Sequence, residues 1–355
     1  MNANKKALLF CVPLIGLALI GVERFSHNAA PEIGMNDTRQ NDRMIIDMAG
    51  RKIKIPDSTN RISALHPVPC HMVWRLAPEK LISIDKQFKE RFSFLSSNAV
   101  KDLFQLPVTA EFHVGVSREQ ILKIKPDIVI SLSKDPNLDK EQTDFLVPVV
   151  ATSKNSLDDY EKSWRFIGEL VGNAKEGNEL ADYWHGVLTK VTSMTSKIPD
   201  KKRLKVYFAQ SNINSTVGNR TIMASIIRSA GGINFYDVNP LTAQHEENES
   251  IVTPMEEILQ WNPDVIITCT GRGRDEILLD PKWATINAVR NKRVYASLNF
   301  ERLDGIPCLL GLVWTATTLY PDIVKLDFEK ETKTFFSKIF LNDRITRAQI
   351  YEERN

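Results

Sequence analysis

The chain has 355 residues, of which 43% are hydrophobic and 25% are charged. This composition is ordinary for globular protein, and the length allows two domains of roughly 100 to 200 residues each. The formal net charge of +2 argues against a dedicated nucleic-acid surface, which normally appears as a basic stripe. We therefore expect no nucleic-acid partner.

The first 30 residues differ from the rest. Lys5 and Lys6 precede an apolar run over residues 7–22, the charged and apolar regions of a secretory signal. The run is also nearly long enough for an uncleaved membrane anchor. We assign residues 1–30 to a signal peptide or N-terminal anchor, with cleavage favoured, and residues 31–43 to a tether. A periplasmic protein is predicted.

Export would leave an odd number of cysteines, Cys70, Cys269 and Cys308, in an oxidising compartment. At least one must stay unpaired within a monomer. Cys269 and Cys308 could be neighbours, but two small buried residues are favoured over a disulfide.

A first α/β lobe is predicted over residues 44–172. Residues 44–55 alternate apolar and polar positions around a central Gly50, which predicts a two-stranded hairpin. Short apolar runs then predict buried strands at 62–65, 81–84, 106–108, 128–132 and 147–150. A helix is expected at 70–76, and an amphipathic helix at 157–171 covers the lobe.

A long helix separates this lobe from a second one. Residues 173–197 carry apolar side chains at helical spacing up to Pro199, a rod of about 35 Å. We predict that residues 173–199 bridge the two lobes. The second lobe, residues 200–355, restarts the alternation with a strand at 204–209 and a helix at 221–229.

An internal repeat relates the two lobes. Residues 118–130 are REQILKIKPDIVI, and residues 255–267 are MEEILQWNPDVII. Ser117 with Gln120, and Thr253 with Glu256, are capping signals for a short helix. Proline disfavours helical backbone in the residue before it, so each helix should end at its Pro-Asp pair and lead into a buried strand. The predicted fold class is α/β, with two doubly wound parallel-sheet lobes bridged by one long helix; the family resemblance described next implies a ligand cleft between the lobes.

Several motifs, in this order, resemble the solute-binding proteins of metal-chelate ABC importers. They are RISAL at 61–65, LAPEKL at 76–81, RSAGGIN at 228–234, DPKWATINAVRNKRVY at 280–295 and LGLVWTATTLYPD at 310–322, together with both repeats. The resemblance covers roughly residue 44 to the C-terminus. It implies a carrier of ferric siderophores, haem, corrinoids or metal ions that docks on an inner-membrane ABC permease as a monomer.

One feature of that family is missing. An acidic residue on the first helix of each lobe docks onto permease arginines, and the matching positions hold His71 and Ser225. Docking through Glu79 or other exposed acids is one interpretation, and a sensor partner is the other.

Ligand residues are expected in the loops after the strands, because ligands of parallel sheets bind outside the carboxyl ends. Arginines there can bind an anionic chelate through paired hydrogen bonds, and the resemblance implies that two of them, Arg220 and Arg302, face the ligand. The other arginine candidates are Arg91, Arg272 and Arg274.

Other side chains in these loops could contribute. His66 and His113 are candidate metal ligands, although a histidine that caps a loop is the competing interpretation. His245 belongs to an acidic loop with Glu246, Glu247 and Glu249, for which solvation is slightly favoured over a place above the cleft. An apolar wall, or core packing, is expected of Phe88, Phe112 and Phe300.

The leading hypothesis is the periplasmic binding component of an importer for a ferric siderophore or related metal chelate, with no catalytic activity and no cofactor. Nickel or a metal-histidine complex is the alternative ligand. A membrane-anchored sensor on the same fold is the alternative of another class. An enzyme is not expected, since the sequence has no nucleophile elbow, phosphate loop or metalloprotease spacing.

Overall fold

The computed structural model describes residues 42–90, 95, 103–111, 114–238, 245–298 and 305–351, all within one compact unit. The predicted signal or anchor lies outside this part of the chain. Among the residues described, no helix is both long and apolar enough to span a membrane.

The described chain begins with an antiparallel hairpin of β1 (Asp42–Ile46) and β2 (Lys52–Pro56), as predicted. Its turn is organised by Asp47, whose carboxylate accepts backbone N–H groups from Ala49 and Arg51. The same carboxylate accepts a hydrogen bond from the backbone N–H of Ala151 at 3.1 Å. One buried side chain therefore shapes the turn and attaches the hairpin to the first sheet.

The first sheet has six strands in the order β6-β5-β4-β3-β7-β8, parallel except for β6. The strands are β3 (Ile62–Ala64), β4 (Leu81–Asp85), β5 (Val108–Glu111), β6 (Gly115–Val116), β7 (Ile128–Leu132) and β8 (Val149–Thr152). The helices are α1 (Pro67–Leu76), α2 (Lys86–Glu90), α3 (Arg118–Ile124) and α4 (Leu138–Phe145). Helix α1 starts earlier than the predicted residue 70, because His66 caps it through Nδ1, which accepts from the Val68 N–H.

Two packed helices follow, α5 (Leu157–Leu170) and α6 (Ala174–Thr195). Helix α6 has 22 residues and is therefore about 33 Å long, close to the predicted rod. The two backbones approach closely at Gly168 and Gly177: a Cβ added at Gly177 would lie 2.7 Å from the carbonyl oxygen of Trp164. Glycine is required at this crossing for steric reasons.

The second sheet has four parallel strands in the order β11-β9-β13-β14. They are β9 (Lys205–Ala209), β11 (Ile233–Asn234), β13 (Val265–Thr268) and β14 (Val294–Ala296), with a separate antiparallel pair, β10 (Ser215–Thr216) and β12 (Ile251–Val252). The helices are α7 (Ile222–Ser229), α8 (Phe235–Val238), α9 (Met255–Trp261), α10 (Gly271–Leu279), α11 (Asn287–Arg290), α12 (Cys308–Leu319), α13 (Phe328–Phe340) and α14 (Arg347–Ile350). Short 3-10 turns occupy Pro78–Lys80, Asp200–Lys202 and Pro281–Trp283.

The repeat corresponds to α3 with β7 and α9 with β13. Each helix ends on a residue in left-handed backbone conformation before the proline, Lys125 (φ 47°) and Asn262 (φ 51°). The repeated aspartate then accepts backbone N–H groups at the start of the neighbouring central strand: Asp127 from Arg61 at 2.9 Å and Asp264 from Lys205 at 3.0 Å. The aspartates therefore hold β7 in register with β3 and β13 in register with β9.

The predicted capping at the two repeats has different outcomes. Ser117 caps α3 by accepting from the Gln120 N–H, as predicted. The prediction for Thr253 was wrong: Pro254 is the N-cap of α9 without a side-chain cap, because the Thr253 hydroxyl instead donates to the Ile251 carbonyl. Both halves nevertheless have a doubly wound parallel sheet, and the predicted fold class is confirmed.

Candidate functional site

The strand order places a ligand site at one edge of each sheet, because ligands of open α/β sheets bind at the carboxyl ends where the order reverses. That point lies between β3 and β7 in the first sheet and between β9 and β13 in the second. His66 follows β3, Lys134 follows β7 and Gln210 follows β9. The candidate site is built on these loops.

Two lysines of the first half converge on one carboxylate of the second half. Lys134 Nζ lies 2.5 Å from Glu249 Oε1, and Lys154 Nζ, just after β8, lies 3.4 Å from the same oxygen. We call Lys134 and Lys154 the lysine pair. The Lys154 side chain is only 1% exposed, whereas that of Glu249 is 29% exposed. The lysine pair therefore concentrates positive charge in a largely dehydrated place between the halves.

Glu249 is positioned by the loops at the carboxyl end of β9. The side-chain amide of Gln210 donates a hydrogen bond to the Glu249 carbonyl oxygen. The Gly218 N–H donates to the Asn248 carbonyl at 2.8 Å, and a Cβ at Gly218 would lie 2.3 Å from the Glu246 carbonyl oxygen. Close backbone packing thus holds the acidic loop 245–249 against residues 217–220.

Arg220 lies in this same region and forms ion pairs with the acidic loop. Its guanidinium is 3.5 Å from the carboxylates of both Glu246 and Glu247. The side chain is 64% exposed, so these exposed ion pairs are weak. Arg220 therefore stays accessible to an anion approaching the loop.

Arg272 and Arg274 lie in the first turn of α10, after β13. Thr270 caps this helix by accepting from the Gly273 N–H at 3.0 Å. Arg272 is exposed, and Arg274 Nε lies 3.2 Å from Asp275 Oδ1. Both arginines thus follow the carboxyl end of a central strand of the second sheet.

A cavity of about 700 Å³ opens at the carboxyl edge of the first sheet. Leu65, Val116 and Phe145 contribute apolar surface and His66 a polar group. The charged lining is mixed, with cations from Arg118, Lys134 and Lys140 and carboxylates from Glu111, Asp135, Glu141 and Asp144. Lys134 belongs to both this cavity and the lysine pair. The cavity therefore adjoins the site of positive charge and has the size of a small-molecule site.

A carboxylate in the wall of the cavity has a perturbed pKa. Burial, and secondarily the Asp135 carboxylate, raises the pKa of Glu141 from 4.5 to about 7. Glu141 therefore changes its charge near neutral pH.

The two described histidines of the candidate loops, His66 and His245, are not arranged as the ligands of a metal centre. His66 is 2% exposed and its Nδ1 caps α1, which is the competing interpretation given to it above. His245 is exposed at the start of the acidic loop. Within the residues described, no group of three or more His, Cys, Asp or Glu side chains is arranged to hold a metal ion.

Phe88 and the docking position His71 are buried, whereas the second docking position, Ser225, is partly exposed. Phe88 is 2% exposed in the core, so the prediction that it lines the cleft gives way to core packing. His71 is 3% exposed, and its Nε2 is 3.0 Å from the Ile339 carbonyl oxygen. Ser225 Oγ accepts from the Leu157 N–H at 3.3 Å. Glu79, by contrast, is exposed in the turn Pro78–Lys80.

The remaining predicted site residues lie outside the part of the chain that the structure describes. They are Arg91, Phe112, His113, Phe300 and Arg302. The three described cysteines, Cys70, Cys269 and Cys308, are buried thiols.

Sequence reasoning did not single out the lysine pair. Lys134 lies in one of the loops that we expected to hold ligand residues, but it was not named as a candidate. Lys154 follows the last strand of the first sheet and was not considered. Glu249 was assigned to an acidic loop for which solvation was favoured. The sequence shows only that these residues follow predicted strands. It does not show which side chains meet when they are 95 residues apart, as Lys154 and Glu249 are, or 115 residues apart, as Lys134 and Glu249 are.

Comparisons with known proteins agree with this architecture. Residues 95–297 match the periplasmic binding protein family. The molybdate-binding protein MolA of Haemophilus influenzae is 25% identical over 329 residues, which cover 84% of this chain and 91% of MolA. The iron-uptake system-binding protein of Bacillus subtilis is 24% identical over 234 residues, 61% of this chain and 69% of that protein.

A solved structure supports the same fold. The ABC transporter solute binding protein from Sulfurospirillum deleyianum superposes with a TM-score of 0.72 at 22% identity, covering 87% of this chain and 98% of that one. The chain belongs to the periplasmic binding protein family. It is a solute-binding protein of the ABC-transporter type and not an enzyme, which confirms the predicted class.

Proposed function

We propose that this protein binds an anionic metal species outside the cytoplasm and delivers it to an ABC permease. An acid-bearing ferric chelate, as predicted from the sequence, and a metal oxyanion of the molybdate type both belong to this ligand class. The observation that carries the proposal is the lysine pair at the carboxyl ends of β7 and β8, facing the second half of the protein.

Charge at the site supports an anionic ligand. Ammonium groups form short charge-assisted hydrogen bonds with carboxylate and oxyanion oxygens, and a dehydrated site strengthens them relative to water. Arg220, Arg272 and Arg274 add positive charge at the ends of the second-half strands. We propose that these arginines complement the lysine pair from the second half.

The cavity beside Lys134 supports a ligand with an organic body as well as charge. Its volume of about 700 Å³ is within the range of small-molecule sites, and its mixed apolar and polar lining is typical of them. An oxyanion would use only the lysine pair, whereas a chelate could also fill the cavity. The two ligand types therefore make different contacts.

By their names, one relative binds molybdate and another is the binding protein of an iron-uptake system. Sequence identities of 25% and 24% are too low to infer that two proteins bind the same ligand. The comparison therefore supports only a ligand that contains a metal. A nickel-histidine complex is the alternative that the ligand test must separate.

Delivery requires a membrane partner. We propose that the protein acts as a monomer in the periplasm and docks on its permease through exposed acids such as Glu79. Neither docking position of the family carries an acid here: His71 is buried against the Ile339 carbonyl, and Ser225 is a partly exposed hydroxyl. Release of the ligand would follow if docking favours a conformation with lower affinity.

The test is a titration of the purified mature protein, followed by tryptophan fluorescence, with sodium molybdate, ferric citrate, a ferric hydroxamate and nickel-histidine. Saturable binding of an anionic probe at micromolar or lower concentration is expected, weakened by raising the ionic strength because the contacts are electrostatic. Binding of nickel-histidine alone would overturn the proposal and favour the alternative. No binding to any probe would contradict the carrier function for this panel.

A further inference from the structure

The contact between Glu249 and the lysine pair joins parts of the chain that lie on opposite sides of the expected cleft. Lys134 and Lys154 follow β7 and β8 of the first sheet, while Glu249 belongs to the loop held by Gln210 and residues 217–220. The proposed anionic ligand would need the same ammonium groups. Glu249 and the ligand are therefore competitors for one position.

The burial of the three side chains is unequal, which matters for that competition. Lys154 is almost completely buried, and a buried ammonium is costly without a nearby negative charge. Glu249 retains 29% of its side-chain exposure, so its carboxylate has a solvated route away from the lysines. A ligand anion can take over the neutralising role while Glu249 turns toward water.

We propose that Glu249 is a built-in counter-ion that the anionic ligand displaces from Lys134 and Lys154, so that this lysine pair is the anion subsite. The inference rests on the proposed function and adds to it the residues that bind the charge. Glu249 protects the lysine pair in the empty protein and lowers the apparent affinity for every anion.

The size of the effect follows from the fraction of molecules in which the subsite is open. Apparent affinity falls in proportion to that fraction, so a carboxylate that occupies the subsite in nine molecules of ten weakens ligand binding by about tenfold. Glu249→Gln removes the charge while keeping the shape of the side chain. It should tighten anion binding by about tenfold or more.

The acidic loop offers a matched control. Glu246→Gln removes the same charge from the same loop, but Glu246 contacts Arg220 and not the lysine pair. Isothermal titration calorimetry with sodium molybdate and with ferric citrate on the native protein, Glu249→Gln and Glu246→Gln compares the two positions. We expect tighter binding in Glu249→Gln and a change of less than about twofold in Glu246→Gln.

Other results would overturn the inference. Equal tightening in both variants would show an effect of overall loop charge, and weaker binding in Glu249→Gln alone would show that Glu249 holds the ligand. If Glu249→Gln does not fold, Glu249→Asp is used, which keeps the charge but is too short to approach both lysines as closely. Unchanged affinity in Glu249→Asp would then overturn the inference.

Failure of this inference is distinguishable from failure of the proposed function. If the native protein binds molybdate or ferric citrate and Glu249→Gln binds it no more tightly, only the inference is wrong. If neither the native protein nor Glu249→Gln binds either anion, the proposed ligand class is wrong and the inference falls with it.

Discussion

Replacement of Gly177 by alanine tests the crossing of α5 and α6. The added Cβ would lie 2.7 Å from the Trp164 carbonyl oxygen and 2.8 Å from the Gly168 Cα. Both neighbours are backbone atoms that cannot rotate away, so the helices must separate by several tenths of an ångström. Overpacking of this kind costs about 3 kcal/mol at the upper end, and the better helix propensity of alanine offsets about 1 kcal/mol. We expect a net loss of about 2 kcal/mol in the free energy of unfolding.

Gly186→Ala in the same helix is the matched control. Gly186 is exposed and has nothing within 4 Å of an added Cβ, so this variant should gain about 1 kcal/mol from helix propensity. Urea unfolding followed by the fluorescence of the buried Trp164 and Trp184 measures both variants. If Gly177→Ala proves as stable as Gly186→Ala, the close approach of the two helices is wrong.

Three further predictions concern buried charge. Glu141 binds more protons in the folded than in the unfolded protein, because its pKa is raised from 4.5 to about 7; stability should therefore fall as pH rises through this window. The variant Glu141→Gln should remove this pH dependence of stability and stabilise the protein at pH 8 by about 1 to 2 kcal/mol after allowance for solvent screening. Thermal melting across this pH range measures the effect, and a pH profile equal to that of the native protein would contradict the prediction. The variant His71→Glu restores the acid of the family motif. It should lower the free energy of unfolding by about 3 kcal/mol, because it buries a carboxylate among aromatic rings beside the Ile339 carbonyl. A variant as stable as the native protein would mean that position 71 is accessible to water. Asp47→Ala should cost about 3 kcal/mol and speed amide hydrogen exchange in β1 and β2, and native-like protection there would show that the hairpin does not depend on this carboxylate.

The repeat explains why much of the fold could be predicted. A capped helix, a Pro-Asp pair and an apolar run of strand length are local signals, and residues 118–130 and 255–267 carry all of them. Local signals do not fix every partner, however. Thr253 resembled a helix cap, but its hydroxyl contacts the Ile251 carbonyl and the Tyr236 hydroxyl, partners that β12 and α8 supply.

The candidate site was harder to predict, since it depends on how the two halves face each other. The rule that ligands bind beyond parallel strands selected the loops containing Lys134 and Glu249. It did not indicate that they meet, because 115 residues separate them. Nor did it identify Lys154, which is buried and meets Glu249 from 95 residues away in the sequence. His71 shows the same limit: its place in the family motif suggested docking, whereas its contacts are with Phe340 and Ile339 of a distant helix.

The central claim is that the lysine pair binds an anionic metal species. The most direct measurement is calorimetric titration of the native protein and of the double variant Lys134→Ala with Lys154→Met, using whichever of the two anions, molybdate or ferric citrate, binds more tightly. The methionine replaces a buried lysine by an apolar side chain of similar length, which limits the loss of stability, and circular dichroism checks that the variant is folded. We expect at least a hundredfold loss of affinity, roughly the effect of removing two charge-assisted hydrogen bonds. Undiminished binding by a folded double variant would contradict it.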